Sequence, residues 1–243
     1  MLYIGLLLGV DVQAATDPYA SDQLDLLVGI ASHRPVDGLD YYDGNGVLSA
    51  SMRYARPGGF YAAAQALHGN GDGVQMPATA VNNLETAIGW ARFIGNHGFS
   101  MELQDYRLWS ALENVDYQAL AMNYRHGDFN VELGFEREKP LYYFPLNRYF
   151  RYHTRRAAAA YRVPTGKQAA FQFSVGSKEI DRINIRYEYA AVRFDWHWQG
   201  LDWSLAYTVA SDDIDTFYSS SADRETVIFG VVMTFSFDHG FGQ

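Results

Sequence analysis

The sequence predicts an all-β protein, a transmembrane antiparallel up-and-down β-barrel of about 12 strands in a bacterial outer membrane. Three observations predict it. First, large apolar residues alternate with small or polar ones. In 227–237, VIFGVVMTFSF, one face carries Val227, Phe229, Val231, Met233, Phe235 and Phe237, and the other carries Ile228, Gly230, Val232, Thr234 and Ser236. That period of two is the period of a strand. Second, the alternating segments run to roughly 10–17 residues, longer than the usual soluble strand of about 5–6 and long enough to cross a bilayer at a tilt. Third, the connections sort by parity, every second one being tight, as periplasmic turns and extracellular loops do in outer-membrane barrels.

Taken in order, the strands are 24–34, 47–56, 59–68, 81–94, 98–109, 115–126, 128–138, 149–163, 167–176, 182–198, 201–210 and 224–237. In the first, Leu24, Leu26, Val28 and Ile30 share a face. It leads into PVDGLDYYDGNG, after which the second strand ends at Pro57-Gly58. The third runs into GNGDGVQMPATA, and the fourth ends at Gly95-Asn96-His97. The fifth ends at SALEN and the sixth at Gly127. In the seventh, Phe129, Val131, Leu133 and Phe135 oppose Asn130, Glu132 and Gly134. KPLYYFPLNR follows, and the eighth strand stops at Pro164-Thr165-Gly166. SKEID separates the ninth from the tenth, which ends at Gln199-Gly200. The tenth changes phase, with Ile183 to Tyr189 apolar on one face and Val192 to Trp198 on the other. Either its upper part leaves the bilayer, with Arg186 and Glu188 outward, or it carries a β-bulge. In the eleventh, Leu201, Trp203, Leu205, Tyr207 and Val209 share a face, and SDDIDTFYSSSAD leads to the last strand.

Alternation does not say which face points inward. A lumen of twelve strands is wider than the roughly eight that side chains can fill, so the small and polar face suits a wet interior. Aromatic residues near strand ends (Tyr54, Phe60, Tyr61, Trp90, Trp109, Tyr124, Tyr161, Trp196, Trp198) read as membrane girdles. The large face is therefore expected to meet lipid, and the last strand to close on the first, leaving no edge. Phe237 reads as the terminal aromatic that barrel-assembly machinery recognises.

Composition narrows the classes. With no cysteine among 243 residues, disulfides and thiolate metal sites are excluded. A net charge of −9 argues against nucleic acid as a partner. Residues 1–15 hold a short apolar run, Leu2 to Val10, and a small-x-small site at Val12-Gln13-Ala14, but no basic start. They read as a signal peptide shortened at its beginning, with 16–243 a single barrel domain; an ordinary buried first strand is the other reading.

One stretch of charge stands out. Residues 148–193 carry Arg148, Arg151, Arg155, Arg156, Arg162, Lys167, Lys178, Arg182, Arg186 and Arg193, ten of the 19 basic residues, against Glu179, Asp181 and Glu188. Parity puts Arg156, Arg162 and Arg193 on the lumen side, from strands eight and ten. Guanidinium groups take carboxylates and phosphates in a fork, so this basic stripe would bias conduction towards anions. Alternatively it pairs with the lumen acids Glu132, Glu136 and Asp195 and braces the wall. Arg148, Arg151 and Arg155, at the top of strand eight, would meet lipopolysaccharide phosphates or form a solvated rim. Tyr142, Tyr143 and Phe144, in an apolar stretch of an outer loop, would fold in as a constriction or widen the girdle.

No enzyme is expected. A barrel lipase needs Ser and His held together, yet no His has a Ser two residues away, and His97 and Ser100 would not share a face. No metal and no cofactor is called for. The acidic loops Gly69–Gly73 and Asp212–Asp215 offer oxygen donors for Ca²⁺ but read more simply as solvated loops.

The segment 26–67, LLVGIASHRPVDGLDYYDGNGVLSASMRYARPGGFYAAAQAL, with its Gly59-Phe60-Tyr61 strand start, resembles the opening of the TorF-type porins, a bacterial outer-membrane β-barrel family. The likeness continues through 82–109 and 115–135 and covers about residues 24–140. It implies an outer-membrane barrel and transport, and supplies no catalytic residue. The reading is a small passive pore for small, anionic solutes, with outer-membrane lipid, lipopolysaccharide and the assembly machinery as partners. A non-conducting structural or adhesion barrel is the rival, and a lipid-modifying enzyme a weaker one.

Overall fold

A computed structural model describes residues 22–32, 35–36, 39–40, 46–71, 79–109, 114–138, 141–143, 148–150, 153–181, 185–211 and 225–238. They form strands β1 (Gln23–Ala31), β2 (Pro35–Val36), β3 (Leu39–Asp40), β4 (Val47–Ala55), β5 (Phe60–Gly71), β6 (Thr79–Ile94), β7 (His97–Trp109), β8 (Asn114–His126), β9 (Phe129–Glu138), β10 (Leu141–Tyr143), β11 (Arg148–Phe150), β12 (His153–Pro164), β13 (Ala169–Ile180), β14 (Ile185–Trp198), β15 (Leu201–Ala210) and β16 (Glu225–Asp238). Twelve of them close a barrel in the order β1-β16-β15-β14-β13-β12-β9-β8-β7-β6-β5-β4. Every neighbouring pair is antiparallel. β2-β3 and β10-β11 are small separate hairpins within two of the long connections.

All twelve expected strands are present. The first stops at Ala31 rather than 34. Ser32 takes over the end of the ladder: its backbone N–H donates to the Phe229 carbonyl, and its hydroxyl accepts from the Phe229 N–H. The ninth runs on to Ile180 rather than 176, because its ladder with β12 and β14 continues past the last apolar outer residue. The tenth has no bulge, since its pairing with β13 is unbroken from Ile185 to Trp196. Its phase change is a change of surroundings: Arg186 and Glu188 face outward, exposed, while Tyr187 between them is buried inside.

The tight turns gather at one end. Ile94 pairs with His97, His126 with Phe129 and Trp198 with Leu201, leaving two-residue loops. In the last, Gln199 and Gly200 both have positive φ, 54° and 77°, as a type I′ hairpin turn requires. The two chain ends of the barrel meet at this same end, Gln23 pairing with both Ala55 and Asp238.

The closing seam fixes the faces. Leu26 pairs with Phe235 and Met52, Val28 with Met233 and Ala50, and Ile30 with Val231 and Leu48. All point outward. The outer apolar side chains are open to the surroundings around the barrel, from Ile88, 63 % exposed, to Val175, 60 %. A contiguous apolar belt of this extent is foreign to a water-facing surface and is the lipid-facing band of a transmembrane barrel. Aromatic side chains border it at the tight-turn end, among them Phe60, Trp90, Tyr124, Tyr161, Trp196 and Trp198. Tyr61 is a correction to the girdle: it lies on the opposite parity and its hydroxyl donates to Glu102 inside the barrel, 2.8 Å away. Towards the other end the outer face turns polar, with Arg107, Asp116, Arg137, Arg155, Glu179 and Arg186.

Candidate functional site

The inner wall is the candidate site, because parity sends the charges there. On β12, Arg156 and Arg162 alternate with outward Ala157, Ala159 and Tyr161. On β14, Arg193 and Asp195 alternate with outward Val192, Phe194 and Trp196. On β9, Glu132 and Glu136 alternate with Val131, Leu133 and Phe135. All six expected lumen residues are on the inner face.

Register groups them into two clusters. In the first, Arg156 pairs across the ladder with Lys178 on β13 and with Gly134 on β9, which lies between Glu132 and Glu136. Arg156 forms an ion pair with Glu132, and Lys178 Nζ lies 3.6 Å from Glu136. Gly134 is needed here: a Cβ on it would come within 2.5 Å of Arg156 Nε, so its bare backbone is the bed on which the arginine lies. Arg156 is buried. The second cluster is a row across three strands, Arg162–Gln172–Arg193. Arg193 Nε donates to Asp195 at 2.8 Å, and Arg162 also acts on Asp195 electrostatically. Both arginines are only partly buried.

The opposite wall, β1 and β4–β7, holds further charges, not among those singled out from the sequence. Arg53 lies 3.7 Å from Asp25 and 5.3 Å over the Tyr61 ring. Tyr61 crosses Gly89, where a Cβ would meet the ring at 2.4 Å, and reaches Glu102. Gln104 also donates to Glu102, and Asn83 donates to Glu85 at 3.2 Å. Asp25, Arg53, Glu85 and Glu102 are all buried. The signal was available: Glu102 sits between Met101 and Leu103, and Glu85 alternates with Leu84 in the same way.

The remaining expected sites are not brought together. Tyr142 and Tyr143 lie in β10, in the connection between β9 and β12, and Phe144 lies outside the described residues. Of the rim arginines, Arg155 faces outward on β12, Arg148 belongs to β11, and Arg151 lies outside the described residues. Residues 1–15 and the acidic loop 212–215 also lie outside them, and of the other acidic loop Asp72 and Gly73 do too. His97 faces outward and Ser100 inward. Among the described residues no three His, Asp or Glu side chains gather as metal ligands.

A closed, even-stranded antiparallel barrel with an apolar outer belt and a charged inner wall belongs to the class of transmembrane β-barrels of the bacterial outer membrane. The structure is similar to that of the NanC porin, with a TM-score of 0.53 and 8 % sequence identity over 87 % of this chain and 98 % of that one. It is also similar to an outer membrane channel from Pseudomonas putida F1, with a TM-score of 0.51 and 11 % identity over 94 % of this chain and 100 % of that one. At these identities the likeness is one of fold. No protein-family model matches the sequence, and no curated protein does.

Proposed function

We propose that this chain is a small passive pore of the outer membrane, passing small polar solutes and favouring anions. The observation that carries the proposal is the charged inner wall that twelve strands enclose: Arg156 and Lys178 are matched there by Glu132 and Glu136 of β9, while Arg162 and Arg193 stand against one acid, Asp195. The two clusters have different parts. Arg156, buried beside Glu132, braces the wall. Arg162 and Arg193, less buried and flanking Gln172, are the charges that passing ions meet. In this reading residues 1–15 direct export, 16–243 form one domain, the assembly machinery inserts it, and lipopolysaccharide surrounds its outer rim. The TorF-type porins are the family that the strand and turn pattern of 24–140 supports.

Planar-bilayer recording of the purified protein tests the proposal. In a salt gradient the wild type is expected to show an anion-selective reversal potential. The double variant Arg162→Gln/Arg193→Gln should move it towards zero with heat resistance retained. Arg156→Gln should leave selectivity nearly unchanged and lower heat resistance, since losing one partner of a buried pair costs about 3–5 kcal/mol. A silent bilayer would make the chain a non-conducting structural or adhesion barrel. A conducting barrel whose selectivity ignores the double variant would remove Arg162 and Arg193 from the site.

A further inference from the structure

The inner faces of β5–β7 carry two carboxylates, Glu85 and Glu102, and no basic residue among the described side chains. Glu85 stands between Gln65 of β5 and Tyr106 of β7, its register partners, with Asn83 beside it on its own strand. Register partners on one face have Cβ atoms about 4.5–5.5 Å apart, so Gln65 and Glu85 stand side by side. Three of these side chains are shut away: Gln65 and Asn83 are each 1 % exposed and Glu85 is 5 % exposed.

Their polar atoms are not all used. Neither the oxygen nor the nitrogen of the Gln65 amide has a hydrogen-bond partner, and the Asn83 carbonyl oxygen has none. Asn83 spends its nitrogen on Glu85. A buried amide left without a partner is destabilising, and an orphan of this kind calls for a water or an ion. Two orphan carbonyl oxygens stand here beside a buried carboxylate, three acceptor groups together, with the Gln65 nitrogen as the one orphan donor among them. Glu102 adds a second negative charge that acts on Glu85, and its hydrogen bonds from Tyr61 and Gln104 hold it in place.

We infer that this wall binds a hard divalent cation, with the Glu85 carboxylate and the Gln65 and Asn83 carbonyl oxygens as its protein ligands and water completing the shell. Oxygen donors that mix carboxylate with neutral amide suit Ca²⁺, which takes 6–8 of them in flexible geometry; Mg²⁺ demands a stricter octahedron. The donor set has no sulfur or imidazole for a softer metal. Glu102 stays in its own hydrogen bonds and compensates the second positive charge from a distance. The site stands independently of whether the lumen conducts.

The test uses the full chain in detergent, stripped with a chelator and then titrated. Tb³⁺ is the probe, excited through tyrosine, since Tyr106 is the neighbour of Glu85. The expected result is saturable luminescence that Ca²⁺ displaces, together with a rise in the unfolding midpoint on adding Ca²⁺. Glu85→Gln should weaken both by at least about tenfold, through lost ligand charge. Gln65→Leu removes a ligand while relieving the orphan amide, and should weaken Ca²⁺ without lowering the metal-free midpoint. Glu179→Gln, exposed on the outer face of β13, should leave both signals intact. If the wild type shows no Ca²⁺-displaceable signal, the amides are held by water and the inference is overturned. It is equally overturned if Glu85→Gln and Gln65→Leu respond to Ca²⁺ as the wild type does, because the ion then binds elsewhere.

Discussion

Val231→Arg puts a charge into the middle of the apolar belt. Val231 lies on β16 between Ile30 of β1 and Trp203 of β15. Along its own strand the outward run extends from Val227 to Phe235, two outward residues to either side. Eight residue steps at about 3.4 Å cover roughly 27 Å of strand, which a tilt of about 40° reduces to roughly 21 Å of membrane depth. Val231 is then about 10 Å from either edge, near the midplane, where arginine costs about 2–4 kcal/mol. Snorkelling shortens the burial of the charge but not of the stem, so about 3 kcal/mol is the expected loss, a factor of roughly 150 in the folding equilibrium. Thr234→Arg is the control. Its hydroxyl faces inward and donates to Asp202 at 3.3 Å, so an arginine there gains an anionic neighbour and should cost no more than about 0.5 kcal/mol. Urea unfolding in lipid vesicles, followed by tryptophan fluorescence, gives both values from the midpoint and slope. Equal losses at the two positions would refute the assignment of faces, because a lipid-facing Val231 must lose more than Thr234, which faces inward beside Asp202.

Three further outcomes are expected. Gly59→Ala should lower the unfolding midpoint sharply: φ at Gly59 is +90°, and a Cβ would sit 1.9 Å from the Ala91 carbonyl oxygen, a backbone atom that cannot step aside; a midpoint equal to wild type would remove the strain argument. Tyr61→Phe deprives buried Glu102 of a donor and should cost about 1–3 kcal/mol in the same measurement, whereas no change would mean that Gln104 alone satisfies it. Single cysteines at Asp40 and Ser220 should label with an impermeant maleimide on intact cells and one at Gly200 should not, and the reverse pattern would invert the topology.

How much of this could be read in advance depends on which physical rule fixes each feature. The strands were legible because a half-buried strand must alternate, and VIFGVVMTFSF does so without a break. Their upper ends were less so. Apolar patterning ends with the lipid, while hydrogen bonding runs past it, as β13 does through Ser177 and Glu179. Residue type and position along the strand suggest the girdle for Tyr61 as much as for Phe60. The parity of Tyr61, opposite to that of Phe60, sends it inward. The short hairpins β2-β3 and β10-β11 carry no alternation long enough to announce them.

The inner wall divides more finely, along the seams between strands. Parity fixes the face of every residue, since a one-residue slip would turn apolar side chains inward. A slip of two leaves all faces intact and changes every neighbour. Where two strands meet through a tight turn, the turn removes that freedom. The loop at Gly95-Asn96 sets Ile94 opposite His97 and therefore Glu85 opposite Tyr106 and Gly89 opposite Glu102. The turn after Pro164 likewise sets Arg156 opposite Lys178 and Arg162 opposite Gln172. Across the long connections no such constraint is written in the chain. Moving β5 by two residues against β6 would put Gln65 beside Asn83 or Ala87. The placing of Gln65 beside Glu85 lies on a seam of this second kind, whereas the row Arg162–Gln172–Arg193 is held on both sides by short connections, since Ile180 pairs with Ile185. The placing of Gln65 is determined by closure of the whole barrel, where the stagger summed over all twelve ladders must bring β16 back onto β1. The inner-wall residues were thus readable one by one and the basic row follows from local turns, while the neighbours of Gln65 are a property of the closed barrel.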